Sequence, residues 1–525
     1  MKGREEWDAG RLVRRRHGLG WLLLAVGGLS GVAWADFRPA SYRLAEVNPP
    51  EPVREFRAAW VATVWNLDWP SRPGLSPDQM RGELARLLDL AAETRLNAIL
   101  FQVRPEADAV YASKLEPWSY WISGKQGQGP GGGFDPLAEA VAAAHARGLE
   151  LHAWFNPFRA RSSDKVAPAS SHALRRHPEW TMAAGSQVWL NPALPEVRNR
   201  AMEVVTDVVR RYGVDGVHLD DYFYPYPQGD RVVFDDSASF RAYRERGGKL
   251  EVEAWRRSHV DEFVRDLGRA VKRVNPEMKY GISPFGIWRP GVPETIQAGV
   301  DSYRHLAADS RTWFREGWVD YLMPQLYWRI DQEEQSFRTL IRWWAGENRS
   351  GRHLWPGVAT SRIKGEGSDR SRGAGEILAQ IEETRRQASN RSGSGHSHWS
   401  AKALAQDRDG IRAKLKAGPY REIALVPESP WLRDGGKLVP PVPSALAGPD
   451  GVVLEWREAG GRKSGSVRWW VVQVRDQESG PWRTSRVLPA RTTGLRFQGE
   501  PAAFAVRGMD GTGRLSGVAG LVRGR

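Results

Sequence analysis

The sequence predicts an α/β chain, a (β/α)8 barrel followed by a small all-β sandwich. Three observations carry that prediction. Short apolar runs alternate with amphipathic stretches through eight repeats between about residues 55 and 430. At 525 residues the chain has room for a barrel, typically about 250 residues and often more, plus a second module. After about residue 434 helical periodicity stops and only short strand-like runs remain. Eight strand–helix repeats favour a closed barrel over a doubly wound sheet. The dinucleotide fingerprint is also missing: Gly129–Gly133 follows no strand and lacks the spacing.

Taken in order, the first element is a leader. Arg11, Arg14, Arg15 and Arg16 precede an apolar stretch from Leu19 to Val32, and Ala33-Trp34-Ala35 offers small residues where a signal peptidase cuts. Residues 1–35 read as a secretory signal peptide cleaved after Ala35. This predicts a periplasmic or extracellular protein with no stable membrane insertion once the leader is gone. An uncleaved anchor is the competing reading, disfavoured because the glycine-broken run is short for a span of about 20 residues. His17 and Gly18 fit a twin-arginine signal poorly, so the general secretory route is expected.

Barrel strands are predicted at Arg57–Trp65, Ala98–Val103, Glu150–Phe155, Gly216–Asp220, Lys279–Pro284, Val319–Leu326, His353–Ala359 and His396–Ser400. Helices are predicted at Asp78–Glu93, Pro136–Arg147, Pro195–Tyr212, Val252–Val274 and Ala374–Gln387, with Gly148 and Gly213 ending the second and third. The barrel is assigned to residues 53–432 and a proline- and glycine-rich linker to 433–444. A fibronectin type III-like sandwich takes 445–525, with strands at Val452–Arg457, Val467–Val474, Arg486–Pro489, Thr493–Phe497 and Ala502–Arg507. Two long polar loops, Ser361–Gly375 and Ser389–Gly395, flank the last two barrel strands, and the aromatic segment Tyr222–Gly248 follows the fourth. Segments after barrel strands lie on the catalytic face.

Composition narrows the partners. The net charge is +14, and removing residues 1–35 takes away six basic and three acidic side chains to leave about +11. A basic exported protein suits anionic envelope polymers. The arginines are scattered and no nucleic-acid recognition signature occurs, so no nucleic acid is expected as partner. Without cysteine there is no disulfide, thiolate chemistry, Cys-based zinc site or lipobox. No His-Glu-x-x-His motif, calcium loop or P-loop occurs, and no metal or cofactor is expected.

Strand alternation nominates a site. In Gly216-Val217-His218-Leu219-Asp220, Val217 and Leu219 face the helices, while His218 and Asp220 point inward, Asp220 at the C-terminal end. His152, Trp154 and Asn156 share the inward face of the third strand, Gln102 and Arg104 that of the second, and Gln325 and Tyr327 that of the sixth. Polar inward residues at one end of four strands point to a cleft. Trp65, Trp154 and Trp328 are among the tryptophans at or just beyond predicted strand ends. Their flat rings suit the C–H faces of sugars, although packing in cores is the commoner use of the residue.

The motifs form a recognisable series. Trp60-Val61-Ala62-Thr63-Val64, Phe101-Gln102-Val103-Arg104-Pro105, His152-Ala153-Trp154-Phe155-Asn156-Pro157 and Asp215-Gly216-Val217-His218-Leu219-Asp220-Asp221-Tyr222 are followed by Gly281-Ile282-Ser283-Pro284-Phe285-Gly286 and Met323-Pro324-Gln325-Leu326-Tyr327-Trp328. Over about residues 53–430 the chain resembles the glycosyl-hydrolase-like 10 family, distinct from the family-10 xylanases. The resemblance implies a TIM-barrel glycosidase, and the family includes a divisome-localised lipoprotein hydrolase of peptide-free peptidoglycan strands. This chain lacks the lipoprotein cysteine. Asp215–Asp220 also resembles the fourth-strand motif of alpha-amylase-type barrels, which implies Asp220 as nucleophile. Here His218 replaces that motif's arginine, and the fifth-strand Glu acid has no counterpart in Gly281–Gly286.

Glycoside hydrolysis generally uses two carboxyls. Asp220 is expected to attack or stabilise the anomeric carbon, and its partner to be Asp108, then Asp221, then Glu106. Arg104, Gln102, Trp65, His152, Trp154, Asn156, His218, Tyr222, Tyr224, Gln325, Tyr327 and Trp328 are the expected substrate-binding residues. Asp135 is read as a helix cap and Asp320 as a residue of the opposite face. The preferred function is an exported hydrolase of an envelope glycan, foremost peptide-free peptidoglycan strands. The alternatives are a hydrolase or transglycosylase of another polysaccharide such as an α-glucan, and a non-catalytic glycan-binding scaffold.

Overall fold

The structure, a computed structural model, describes residues 41–229, 231–363, 372–388, 393–432, 436–449, 451–459 and 467–524. The leader predicted at 1–35 lies outside the described residues, as do 364–371 and 389–392 of the two polar loops and 433–435 of the expected linker.

Eight parallel strands close into a (β/α)8 barrel. They are Glu55–Val61, Ala98–Arg104, Glu150–Phe155, Gly216–Leu219, Lys279–Ile282, Tyr321–Leu322, a seventh in two pieces, His353–Leu354 and Gly357–Val358, and Ser394–His398. The seventh strand breaks where Pro356 has no N–H to give. Its first piece pairs with the sixth strand and its second with the eighth. The eighth pairs with the first, Ser394 opposite Glu55 and His398 opposite Ala59, so the sheet returns to its start. Pro324 cuts the sixth strand short of the expected Leu326 in the same way, and bridging resumes at Gln325, which pairs with both Phe285 and Gly357.

Alternation sorts the side chains. Ile99, Phe101, Leu151, Ala153, Val217 and Leu219 pack outward under the helices. Phe56, Trp60, Leu100, Trp154, Tyr321, Met323 and Trp355 fill the barrel axis. Rings there need room, and facing glycines leave it. A Cβ on Gly216 would lie 2.4 Å from the His152 ring, and one on Gly281 would lie 2.1 Å from the Tyr321 ring.

A buried polar chain threads the same axis. Trp60 Nε1 donates to His218 Nε2 at 3.1 Å, and His218 Nδ1 meets the Tyr321 hydroxyl at 3.1 Å. That hydroxyl meets His152 Nδ1 at 2.9 Å, His152 Nε2 meets Glu150 at 3.1 Å, and Glu150 holds Lys279 at 2.9 Å. An indole N–H only donates, so His218 Nε2 accepts and the His218 proton sits on Nδ1. The protons then run in one sense, from His218 to Tyr321 to His152 to Glu150. Burial holds His218 well below its ordinary pKa, keeping it neutral. The expectation that His152 and His218 bind substrate is therefore corrected: both are fully buried, and their ring nitrogens are engaged in this chain.

Beyond the barrel lie two antiparallel sheets. One holds Val442–Gly448, Gly451–Arg457 and Gly494–Phe497; the other holds Trp469–Arg475, Trp482–Pro489, Ala503–Met509 and Ala519–Arg523. Val452, Leu454 and Trp456 of the first pack with Trp470, Val472, Phe504 and Val506 of the second. The first of these strands starts at Val442, inside the expected linker. An unpredicted strand, Tyr42–Leu44, joins the larger sheet from the start of the described chain, Tyr42 opposite Arg523.

These sheets sit on the N-terminal ends of the barrel strands. Arg468 reaches Asp215, just before the fourth strand, at 2.8 Å, and Lys279 gives a hydrogen bond to the Gly511 carbonyl at 2.8 Å. Leu425, Trp469, Val471 and Met509 form the apolar seam. Asp320 is tied down at this end by Tyr280 N–H and Trp431 Nε1, both at 2.8 Å. Asp135 caps its helix by accepting from Leu137 and Ala138 N–H at 3.1 and 3.2 Å.

Burial alone would raise the Asp215 pKa; the Arg468 charge and His145 outweigh it and hold the carboxyl well below its ordinary range. Arg468→Ala is expected to lower the unfolding free energy by about 1–3 kcal/mol at neutral pH, less than for a wholly buried pair because Arg468 is a third exposed. A depressed carboxyl pKa contributes stability that is lost as pH falls through it. The difference between the two proteins should therefore shrink in acid, as urea unfolding followed by tryptophan fluorescence at two pH values would read.

Candidate active site

At the C-terminal ends of the strands a cleft of about 710 Å³ opens. Asp220 and Asp221, which follow the fourth strand, are the two carboxyl residues in its described lining. Three donors converge on Asp220. Asn156 Nδ2 reaches Oδ2 at 3.0 Å, while Gln325 Nε2 at 3.3 Å and the Asp221 N–H at 3.0 Å reach Oδ1.

The orientation of Asn156 is set from below. Thr63 and Val64 N–H both donate to Gln102 Oε1 at 2.9 Å, which turns Gln102 Nε2 toward Asn156 Oδ1 at 2.6 Å. Asn156 Nδ2 is then left to donate, to Asp220 and to the Tyr222 hydroxyl at 2.7 Å. Gln325 also donates to the Ser283 carbonyl at 3.0 Å, fixing its amide likewise. Asp221 differs from its neighbour. It accepts from the Tyr226 hydroxyl, and burial, followed by the Asp220 charge, pushes its pKa well above the carboxylate range. One carboxyl set up to accept and an adjacent one inclined to keep its proton are the ingredients of acid–base chemistry.

The walls are aromatic. Trp60, Trp65, Trp154, Trp189, Trp399, Tyr222 and Tyr327 line the cleft. Trp65 is 55% exposed and adopts φ 57°, a left-handed conformation uncommon for a bulky residue. Its Nε1 donates to Ser162 Oγ at 2.6 Å, which ties the ring by its edge to that loop. Arg159 lies over the Tyr222 ring at 5.0 Å and donates to the Pro105 carbonyl at 3.1–3.2 Å.

Of the residues nominated from sequence, Asp220, Asp221, Gln102, Trp65, Trp154, Tyr222, Gln325 and Tyr327 line this cleft, and Asn156 stands directly behind Asp220. The others need correction. Asp108 is fully buried outside the lining, accepting from Glu106 N–H and Gln126 at 3.1 and 3.0 Å; burial and then the Glu106 charge raise its pKa to about 7. Glu106 accepts from Trp121 Nε1 at 2.7 Å and from the Ser162 N–H, pinning the loop that carries the Trp65 partner. Arg104 pairs with Glu116 and donates to the Asn156 and Pro157 carbonyls at 2.8 and 2.9 Å, so it supports the site from within the wall. Tyr224 is buried against Phe234, and Trp328 packs edge-on against Phe285, both outside the lining.

Sequence reasoning missed one wall. The segments Arg159–Arg161, Thr181–Ala184 and Gln187–Leu190 form a three-stranded sheet between the third strand and the next long helix, and bring Ser186, Gln187 and Trp189 to the cleft. The Gly185-Ser186 turn between two short alternating runs was the available signal. Tyr226 was missed because the segment after Asp220 is loop rather than strand, so alternation from Tyr222 does not apply. Among the described residues no group of three or more His, Asp or Glu could hold a metal ion.

A closed barrel carrying a carboxyl pair, directed amides and exposed rings at the C-terminal mouth of its strands has the construction of a glycosidase. Residues 55–370 match the glycosyl hydrolase-like 10 family, and the chain belongs to that family and is a glycoside hydrolase by class. It is 36% identical over 412 residues to glycosyl hydrolase YngK of Bacillus subtilis, covering 77% of this chain and 79% of that one. It is 33% identical over 331 residues to glycosyl hydrolase DigH of Escherichia coli K12, covering 58% and 73%. Among solved structures, the PgaB glycoside hydrolase domain of Bordetella bronchiseptica aligns with 70% of this chain and 98% of its own, at 13% identity and a TM-score of 0.46.

A carboxyl whose folded pKa is raised adds stability that is present in acid and is lost as pH climbs from the ordinary carboxylate range, about 4, through the raised value. The melting temperature of the parent should accordingly fall across that window. In Asp221→Asn that component should be missing and the neutral-pH midpoint equal or higher, as thermal scans across pH would show.

Proposed function

We propose that the protein is an exported hydrolase of a cell-envelope glycan, acting first on peptidoglycan strands freed of their peptides. The observation that carries the reading is the Asp220–Asp221 pair in a cleft walled by indole rings and directed amides. Asp220 serves as the charge-bearing carboxylate at the anomeric carbon and Asp221 as the proton donor to the leaving oxygen. Trp65, exposed in the cleft wall, offers a stacking platform for a pyranose, and Gln325, Tyr222 and Tyr327 are placed to meet hydroxyls. The net charge of +14 and the leader pattern at residues 1–35 favour an anionic envelope polymer outside the cytoplasm. The family resemblance points to the same substrate.

The test is incubation of the purified protein and of Asp220→Asn with peptide-free glycan strands, with products read by mass spectrometry. Shortened saccharides are expected from the parent, formed at least about 100-fold more slowly by the variant. Strands bound but left intact by the parent would replace the hydrolase with a glycan-binding scaffold for this substrate.

A further inference from the structure

The two carboxyls of the cleft touch. Consecutive Cα atoms lie about 3.8 Å apart, the Asp221 N–H donates to Asp220 Oδ1 at 3.0 Å, and the two side chains are in hydrogen-bonding contact. Ordinary glycosidases separate their carboxyls by about 5–5.5 Å when retaining and about 6.5–9.5 Å when inverting, one on each side of the anomeric carbon. A contacting pair at one strand end stands on one side of the sugar. Among the described residues no third Asp or Glu lines the cleft. A 2-acetamido sugar brings a nucleophile of its own.

Resting on the envelope-glycan reading, we propose that the enzyme hydrolyses 2-acetamido-2-deoxyglycosides by substrate assistance, the acetamide carbonyl oxygen attacking C1, Asp220 holding the acetamide N–H and Asp221 acting as acid and then base. In the first step the carbonyl oxygen bonds to C1 as the C1–O bond to the leaving sugar breaks, and Asp221 gives its proton to the departing oxygen. The Asp220 charge offsets the oxazolinium ion so formed. In the second step water adds to C1, its proton passes to the Asp221 carboxylate, and the ring opens to restore the acetamide. One water is consumed, both carboxyls return to their starting states, and two inversions give net retention.

The surroundings suit those roles. Asn156, Gln325 and the Asp221 N–H bond to Asp220, and the acetamide N–H takes the place of the Asp221 carboxyl against it. Trp399 packs edge-on against Trp60 at 6.0 Å and Trp154 at 6.2 Å, an apolar seat for the acetamide methyl.

The experiment compares peptide-free strands as isolated, after chemical N-deacetylation, and after re-acetylation. Cleavage of the first and third is expected, with deacetylated strands cut at least about 100-fold more slowly. Cleavage of deacetylated strands at the parent rate would overturn the proposal while leaving the hydrolase reading intact. Titration calorimetry with N-acetylglucosamine thiazoline, a stable mimic of the oxazolinium, supplies a readout apart from turnover. Binding by the parent that weakens at least about 10-fold in Asp220→Asn, with its melting temperature kept, supports the mechanism even if the strands prove the wrong substrate. Absence of binding by the parent would sink the mechanism.

Discussion

An amide side chain has one end that accepts and one that donates, and which end faces a carboxylate decides whether the contact attracts or repels. In this barrel the choice is made by two backbone N–H groups. Those of Thr63 and Val64 claim Gln102 Oε1, Gln102 Nε2 claims Asn156 Oδ1, and Asn156 presents its NH2 to Asp220. The direction of every link follows from the first, so the polarity at Asp220 is set by the turn after the first strand. Charge stabilisation that needs no rearrangement during reaction is the kind proteins supply best. The same logic runs down the axis, where Trp60, which only donates, orders the protons of His218, Tyr321 and His152.

Much of this was legible in the sequence. The barrel could be read because each strand is a short run with a consistent inward and outward face. Val217 and Leu219 are apolar where His218 and Asp220 are not, and the two sets separate in the structure as alternation requires. Asp220, Gln102, Asn156 and Gln325 were found by that rule. The rule also names depth poorly. His152 and His218 satisfy it yet lie one layer below the mouth, where an inward polar side chain is a packing problem solved by partners rather than a ligand. Asp108 and Glu106 were nominated by position after a strand, but the loop folds back over them. Periodicity could not foresee that, because contacts among Glu106, Trp121 and Ser162 join the connections that follow two different strands.

The two ends of the barrel divide the work. The cleft end is built from loops and an inserted three-stranded sheet. The other end is closed by the β module, through Arg468 on Asp215, Lys279 on Gly511 and the apolar seam around Trp469. Buried ion pairs and rings at the N-terminal face anchor the strands whose far ends carry the chemistry, so the positions of Asn156 and Asp220 inherit the rigidity of the opposite face.

The strand Tyr42–Leu44 has a further consequence, for the order of assembly. Its partner is Ala519–Arg523, and the Tyr42 hydroxyl bonds to Pro501, 459 residues along the chain. A ribosome makes this segment among the first of the described residues and its partner among the last. The barrel can therefore close while that strand still waits, and the larger sheet is completed only after Ala519–Arg523 has been made. The joining of these two segments follows the barrel strands, a clasp shut over a barrel already formed.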